Sequence, residues 1–185
     1  MSAPASLAYR VARSARARSG AQRAAILSGE IGFGKHFTDH MVAIQWDKAN
    51  GWHDAQVRAY GPLSLDPAAS VLHYGQEIFE GIKAYRQADG SITTFRPEEN
   101  AARLNKSAQR LVLPNLPEEL FTEAIRQLVS VDADWVPSGD GESLYLRPFM
   151  ISTEAFLGIR PAHAVSFFVI ASPAGNYFGT PKPVD

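Results

Sequence analysis

The sequence contains no cysteine. That single absence excludes disulfides, thiolate zinc sites, iron–sulfur clusters and thiol nucleophiles. Charge of one sign is lacking too: 18 lysines and arginines face 19 aspartates and glutamates, a formal net charge of −1. Without a broad electrostatic field the chain cannot draw in nucleic acid through its phosphates, so no nucleic-acid partner is expected. Long hydrophobic runs are missing. The longest, Ala164 to Ala171, is broken by Ser166 and falls far short of the ~20 apolar residues that span a bilayer. No membrane partner is expected. There is no internal repeat, no phosphate-binding P-loop and no GxGxxG. His36 and His40 have the i, i+4 spacing of a helical metal pair, but the strand-like pattern after them argues against a helix there. No metal site is expected, and no nucleophile-elbow motif singles out a serine.

What is present is enough apolar residue for one core: 185 residues, 45% hydrophobic and 20% charged, within the usual size of one domain. The chain reads as a soluble, cytoplasmic protein. One asymmetry hides in the near-zero charge. Residues 1–29 hold Arg10, Arg13, Arg16, Arg18 and Arg23 with much alanine and serine, and no acid precedes Glu30. Such a start is either a floppy extension or an organelle-targeting segment. Both readings treat residues 1–32 as a flexible extension outside the fold.

From Phe33 onward, strands come first, then helices, then strands. Met41 to Trp46 and Gln56 to Leu63 are β-like runs joined across Asn50-Gly51, a pair suited to positive φ. Phe79 to Arg86 and Ser91 to Arg96 form a second pair across Gln87-Ala88-Asp89-Gly90. Pro97, followed by Glu98 and Glu99, opens a helix. Its apolar face is Ala101, Leu104, Ala108 and Leu111, and Pro114 ends it. A second helix starts at Pro117, buries Leu120, Phe121, Ala124, Ile125, Leu128 and Val129, and stops before Pro137. Ser143 to Thr153 and Ala164 to Ser172 are two further strands. The pattern predicts an α+β domain with a largely antiparallel sheet and two main helices.

Two constellations carry chemistry. In Leu144-Tyr145-Leu146-Arg147-Pro148 the strand period puts Tyr145 and Arg147 on one face and the leucines on the other. If the leucines face the core, a phenol and a guanidinium stand side by side, a grip suited to a carboxylate. The alternative is a solvated outer face with an incidental arginine. Arg103 borders the apolar stripe of the first helix. It is either a snorkelling side chain covering the core or a fixed fork for a phosphate, and spacing does not separate the two.

Five blocks bear on this choice. They are Phe37-Thr38-Asp39-His40-Met41; Leu72-His73-Tyr74-Gly75-Gln76-Glu77-Ile78-Phe79-Glu80-Gly81-Ile82-Lys83-Ala84-Tyr85-Arg86; Asn100-Ala101-Ala102-Arg103-Leu104; Leu144-Tyr145-Leu146-Arg147-Pro148-Phe149; and Ala171-Ser172-Pro173-Ala174-Gly175-Asn176-Tyr177-Phe178. In order and spacing they resemble the branched-chain amino acid aminotransferases, fold-type IV enzymes that use pyridoxal 5'-phosphate. The resemblance implies the small N-terminal domain of that fold. It implies transfer of the amino group of leucine, isoleucine or valine to 2-oxoglutarate in branched-chain amino acid biosynthesis. Arg103 matches the arginine that grips the cofactor phosphate. Tyr145 and Arg147 match the substrate-recognising pair, the arginine suited to the side-chain carboxylate of glutamate. Phe33, Tyr74, Phe79 and Tyr177 match aromatics walling the side-chain pocket. In the family, Tyr74 and the Leu157-Gly158-Ile159 loop serve the neighbouring subunit's pocket, which implies a homodimer. Amino acids and 2-oxo acids are the implied small-molecule partners.

One departure stands beside these matches. The family holds its cofactor as a Schiff base on a lysine in a glycine-rich lysine–asparagine–tyrosine motif of a second, larger domain. Lys35, Lys48, Lys83, Lys106 and Lys182 are the chain's lysines, and none lies in such a motif. No catalytic residue is therefore assigned here, and the anchoring lysine is expected beyond Asp185. The expected organisation is an extension over 1–32, a small α+β domain over 33–176 and an interdomain linker over 177–185, with the large catalytic domain missing. The chain is read as an aminotransferase by family and as inactive alone. The alternatives are a non-catalytic fragment serving only dimerisation or interaction, or another fold-type IV enzyme, a D-amino acid aminotransferase or aminodeoxychorismate lyase. The Phe33-to-Trp46 block and the Tyr145/Arg147 pair fit the branched-chain group better.

Overall fold

The computed structural model describes residues 7–175. In chain order it runs β1 (Arg10–Val11), α1 (Gly20–Leu27), β2 (His40–Asp47), β3 (Gly51–Ala59), α2 (Ser70–Tyr74), β4 (Glu77–Phe79), β5 (Ile82–Arg86), β6 (Ile92–Thr94), α3 (Pro97–Arg110), α4 (Glu118–Val131), a 3-10 turn (Ala133–Trp135), β7 (Ser143–Ser152) and β8 (Ala164–Ala174). The strands form one sheet in the order β1-β3-β2-β8-β7-β5-β6, with β4 also paired to β7. Only the short β1–β3 pairing among these is parallel. The α+β architecture, the largely antiparallel sheet and the two long helices are as the sequence predicts.

The sheet is two-faced because its central strands alternate. Leu144, Leu146 and Met150 of β7 and Phe167, Val169 and Ala171 of β8 point to one side and are buried. There they meet Leu104 and Ala108 of α3 and Phe121, Ala124 and Leu128 of α4. Burying each leucine or phenylalanine contributes about 1.5–3 kcal/mol, so this face holds the domain together. The opposite face carries Tyr145, Arg147 and Phe149, opposed across the ladder by Ser172, Ile170 and Phe168. A smaller apolar group, Met41, Ala43, Ile151 and Phe168, covers part of it.

Phe79 to Arg86, predicted as one strand, keeps one register against β7 but with its pairing interrupted once. The interruption falls at Glu80-Gly81, opposite Pro148 of β7. The Glu80 N–H donates to the Pro148 carbonyl at 2.8 Å. Carbonyl and nitrogen of one strand residue point to the same side, so the position where Pro148 lacks an N–H faces this gap. A proline is tolerated inside a sheet where its missing N–H meets such a lapse in pairing, and the register against β7 is the same on either side of it. Elsewhere β3 begins earlier than predicted, at Gly51 (φ 68°), and α2 has no counterpart in the sequence reading.

Residues 7–32 differ most from expectation. They carry β1 and α1 and are fastened to the domain. Ser19 and Gln22 form a reciprocal capping box at the start of α1. Arg18 donates to Asp39 at 3.2 Å and stacks 5.2 Å from the Trp135 ring, and Arg23 pairs with Asp134 at 2.8 Å. Arg10, Arg18 and Arg23, three of the arginines that resemble a loose basic leader, thus meet acids up to 111 residues away. The inner fastening is His40. Its Nε2 accepts the Ser14 backbone N–H at 2.8 Å, so the ring proton sits on Nδ1 and is donated to Asp132 at 2.6 Å. Asp132 also accepts the His40 N–H at 3.1 Å. Both side chains are buried.

Asp132→Ala leaves two buried His40 donors without an acceptor and is expected to cost roughly 2–4 kcal/mol, read as a lowered urea midpoint. Trypsin should then cut faster after Arg13 and Arg16. An unchanged midpoint with unchanged cleavage would contradict this fastening.

Candidate functional site

The face of the sheet turned away from α3 and α4 gathers four of the predicted site residues. Arg147 donates through Nε and Nη2 to the Tyr145 hydroxyl at 3.1 and 2.9 Å. Its guanidinium carbon lies 4.3 Å from the centre of the Phe79 ring, within cation–π range. Phe33 meets Tyr145 edge-on, with ring centres 5.0 Å apart. Beside Phe33, Tyr145 and Arg147 is a cleft of about 170 Å³, lined also by Phe37, Ile170 and Ser172 among others. The open choice between a carboxylate grip and a solvated face narrows here. Tyr145 and Arg147 are half-buried and locked to each other, and among the described residues no carboxylate pairs with Arg147. A guanidinium held among aromatic rings without an anion is suited to receive one.

Arg103 is held by a carboxylate that neither reading anticipates. It donates side-on to Glu80, Nε to Oε1 at 2.8 Å and Nη2 to Oε2 at 2.6 Å. The Glu80 side chain is 7% exposed, that of Arg103 63%. Asn100, one turn earlier on α3 and itself buried, adds a bond to Glu80 at 2.9 Å and another to the Gly81 carbonyl at 3.0 Å. Burial pushes the Glu80 carboxyl up. The hydrogen bonds from Arg103 and Asn100 and the charge of Arg103 outweigh this and hold it below the usual carboxylate range. The same pair raises the already high pKa of Arg103.

Gly81 joins the two groups. A Cβ on it would lie 2.7 Å from the Tyr145 hydroxyl, closer than such contacts occur. The residue after the Arg103 partner is therefore the floor beneath Tyr145.

Tyr74 lies apart from this cluster. Its hydroxyl donates to the Leu157 carbonyl, and α2 ends beside it at Gly75, whose φ of 58° suits glycine. The loop around Leu157 is pinned by Glu154, which accepts from Arg160 at 2.5 Å and from the His163 N–H at 2.8 Å. Arg160 stacks 4.2 Å from the Phe156 ring, and a Cβ at Gly158 would overlap that ring. The loop thereby presents Leu157 and Ile159, the latter 90% exposed. Tyr177 and Lys182, and the linker expected over 177–185, lie outside the described residues. Among the described residues no group of three His, Asp or Glu could hold a metal ion.

The sequence reading missed Glu80, Gly81, Asn100 and Ile170. Asn100 had a signal, since an asparagine on the stripe of Ala101, Leu104 and Ala108 must find a partner when buried. Glu80 was hidden inside what reads as a continuous strand.

No protein-family model matches the chain. Its sequence is similar to curated relatives over nearly its whole length. It is 58% identical over 180 residues to a branched-chain-amino-acid aminotransferase of Mycolicibacterium smegmatis, covering 96% of this chain and 49% of that protein. It is 61% identical over 173 residues to a probable branched-chain-amino-acid aminotransferase of Streptomyces coelicolor, covering 92% and 48%. The chain spans about half the length of these relatives. Among solved structures it is similar to a T.th. branched-chain amino acid aminotransferase with pyridoxamine 5'-phosphate. There the TM-score is 0.57 at 26% identity, over 76% of this chain and 43% of that one. The Escherichia coli enzyme, at TM-score 0.56, 23% identity and coverage of 74% and 41%, shares the fold.

Gly81→Ala should drive the Tyr145 ring away and lengthen its 2.9 Å bond to Arg147 beyond about 3.5 Å, where a hydrogen bond no longer counts. A crystal structure of the variant reads this directly. An unmoved Tyr145 hydroxyl would show that the floor is not tight.

Proposed function

We propose the following role for this chain, which resembles the branched-chain aminotransferases and has the fold of their small N-terminal domain. It supplies one wall of a pocket in which an amino group passes from leucine, isoleucine or valine to 2-oxoglutarate with pyridoxal 5'-phosphate. The observation that carries this is the half-buried Arg147, without a carboxylate partner among the described residues and framed by Tyr145, Phe79 and Phe33. One cleft must take an aliphatic side chain in one half-reaction and an acidic one in the other. The rings offer apolar surface to the first. Arg147 offers a charge-assisted pair to the second.

The cofactor fits the chemistry of this chain at its phosphate end. An arginine has five N–H donors in one plane. Arg103 spends two on Glu80 and keeps three on an exposed outer edge, which suits a phosphate dianion. When bound, pyridoxal phosphate supplies the electron sink that makes the α-proton of an amino acid labile. This chain would hold the phosphate through Arg103, orient the substrate through Arg147 and Tyr145, and exclude water with Phe33 and Phe79. We place the anchoring lysine in the part of the relatives beyond the matched half, so the 185 residues alone would lack it. Tyr74 and the exposed Leu157 and Ile159 would serve a second copy's pocket in a homodimer, which is why Tyr74 stands away from Arg147.

In the full-length protein, Arg147→Ala should slow the glutamate half-reaction about tenfold to a hundredfold, the worth of a charged hydrogen-bonded pair of roughly 1.5–3 kcal/mol. The leucine half-reaction should change far less. Single-turnover rates with each amino acid decide it. Equal losses would make Arg147 a structural residue or a holder of the group common to all substrates.

A further inference from the structure

Glu80 places a buried carboxylate beside Pro148 of β7, where the ladder lacks one hydrogen bond. Burying a carboxylate is costly unless it is paired and bonded. Here Glu80 accepts two side-chain bonds from Arg103 and one from Asn100, which also donates to the Gly81 carbonyl. Its backbone N–H is fixed to Pro148, next to Arg147 in β7. The carboxylate is therefore immobile, while the arginine it holds is largely exposed. An exposed arginine on a helix ordinarily samples many rotamers, and ordering it on binding costs free energy.

We infer that Glu80 is a positioning residue: its side-on clamp presets the outer edge of Arg103 for the cofactor phosphate before that group arrives. The inference rests on the reading of Arg103 as the phosphate residue. It has a sign opposite to that of simple electrostatics. A carboxylate near a phosphate repels it, so if charge alone mattered, removing Glu80 would tighten phosphate binding. If Glu80 presets the arginine, removing it weakens phosphate binding.

The test is the contribution of the phosphate to binding, taken as the ratio of dissociation constants of pyridoxal and pyridoxal 5'-phosphate. It is measured by titrating the cofactor-free full-length protein. General damage to the pocket moves both constants and cancels in the ratio. Glu80→Ala should lower the ratio about threefold to tenfold, the cost of ordering one arginine side chain. Glu80→Gln keeps the size and one acceptor oxygen and should lower it less, which serves if the alanine variant fails to fold. In an Arg103→Ala background, where the ratio has already collapsed, Glu80→Gln should change nothing further. A ratio that rises or stays constant on Glu80 substitution, while Arg103→Ala collapses it, overturns the positioning role and leaves the phosphate assignment intact. A ratio that survives Arg103→Ala overturns the phosphate assignment, and the inference with it. A loss on Glu80 substitution that persists without Arg103 also overturns it, because Glu80 would then act by another route.

Discussion

The structure depends on β7 having two faces with different tasks. Its period-two pattern sends Leu144, Leu146 and Met150 into the helical core and leaves Tyr145, Arg147 and Phe149 on the other side. A shift of one residue would exchange the two sets, exposing the leucines and burying an arginine. The cost of that exchange fixes the register against β8 and so fixes where the guanidinium stands. Site and core are two readings of one alternation.

The second constraint is Pro148. Because it offers no N–H, the ladder lacks one hydrogen bond there, and pairing lapses at Glu80-Gly81 between β4 and β5, which keep one register against β7. That stretch supplies a carboxylate to Arg103 on the helical side and a side-chain-free residue beneath Tyr145 on the other. Two adjacent residues thus link Arg103 to the Tyr145–Arg147 pair.

Periodicity made much of this legible. The apolar stripe of α3, the faces of β7 and the hairpin at Gly90 are all local patterns, and resemblance to a known family added roles that spacing left open. Long-range pairing stayed hidden. Nothing near Arg18 or Arg23 in the sequence announces Asp39 or Asp134, and nothing near His40 announces Asp132. Local reading therefore took residues 1–32 as a loose leader, although the Ser19–Gln22 capping box was there to be seen. Glu80 was hidden for the same reason: a buried acid is intelligible only with its arginine, 23 residues on. The aromatic frame of Arg147 likewise draws on three separate segments, holding Phe33, Phe79 and Tyr145.

The central claim is that the outer face of β7 receives the substrate while Arg103 receives the cofactor phosphate. A crystal structure of the full-length protein with N-(5'-phosphopyridoxyl)-L-glutamate, an adduct joining both groups in one molecule, tests it most directly. The account predicts the phosphate on the outer edge of Arg103, still clamped by Glu80, and the glutamate side-chain carboxylate on Arg147. An adduct bound with its phosphate away from Arg103, or with its side chain turned from the Phe33–Phe79–Tyr145 face, would contradict it.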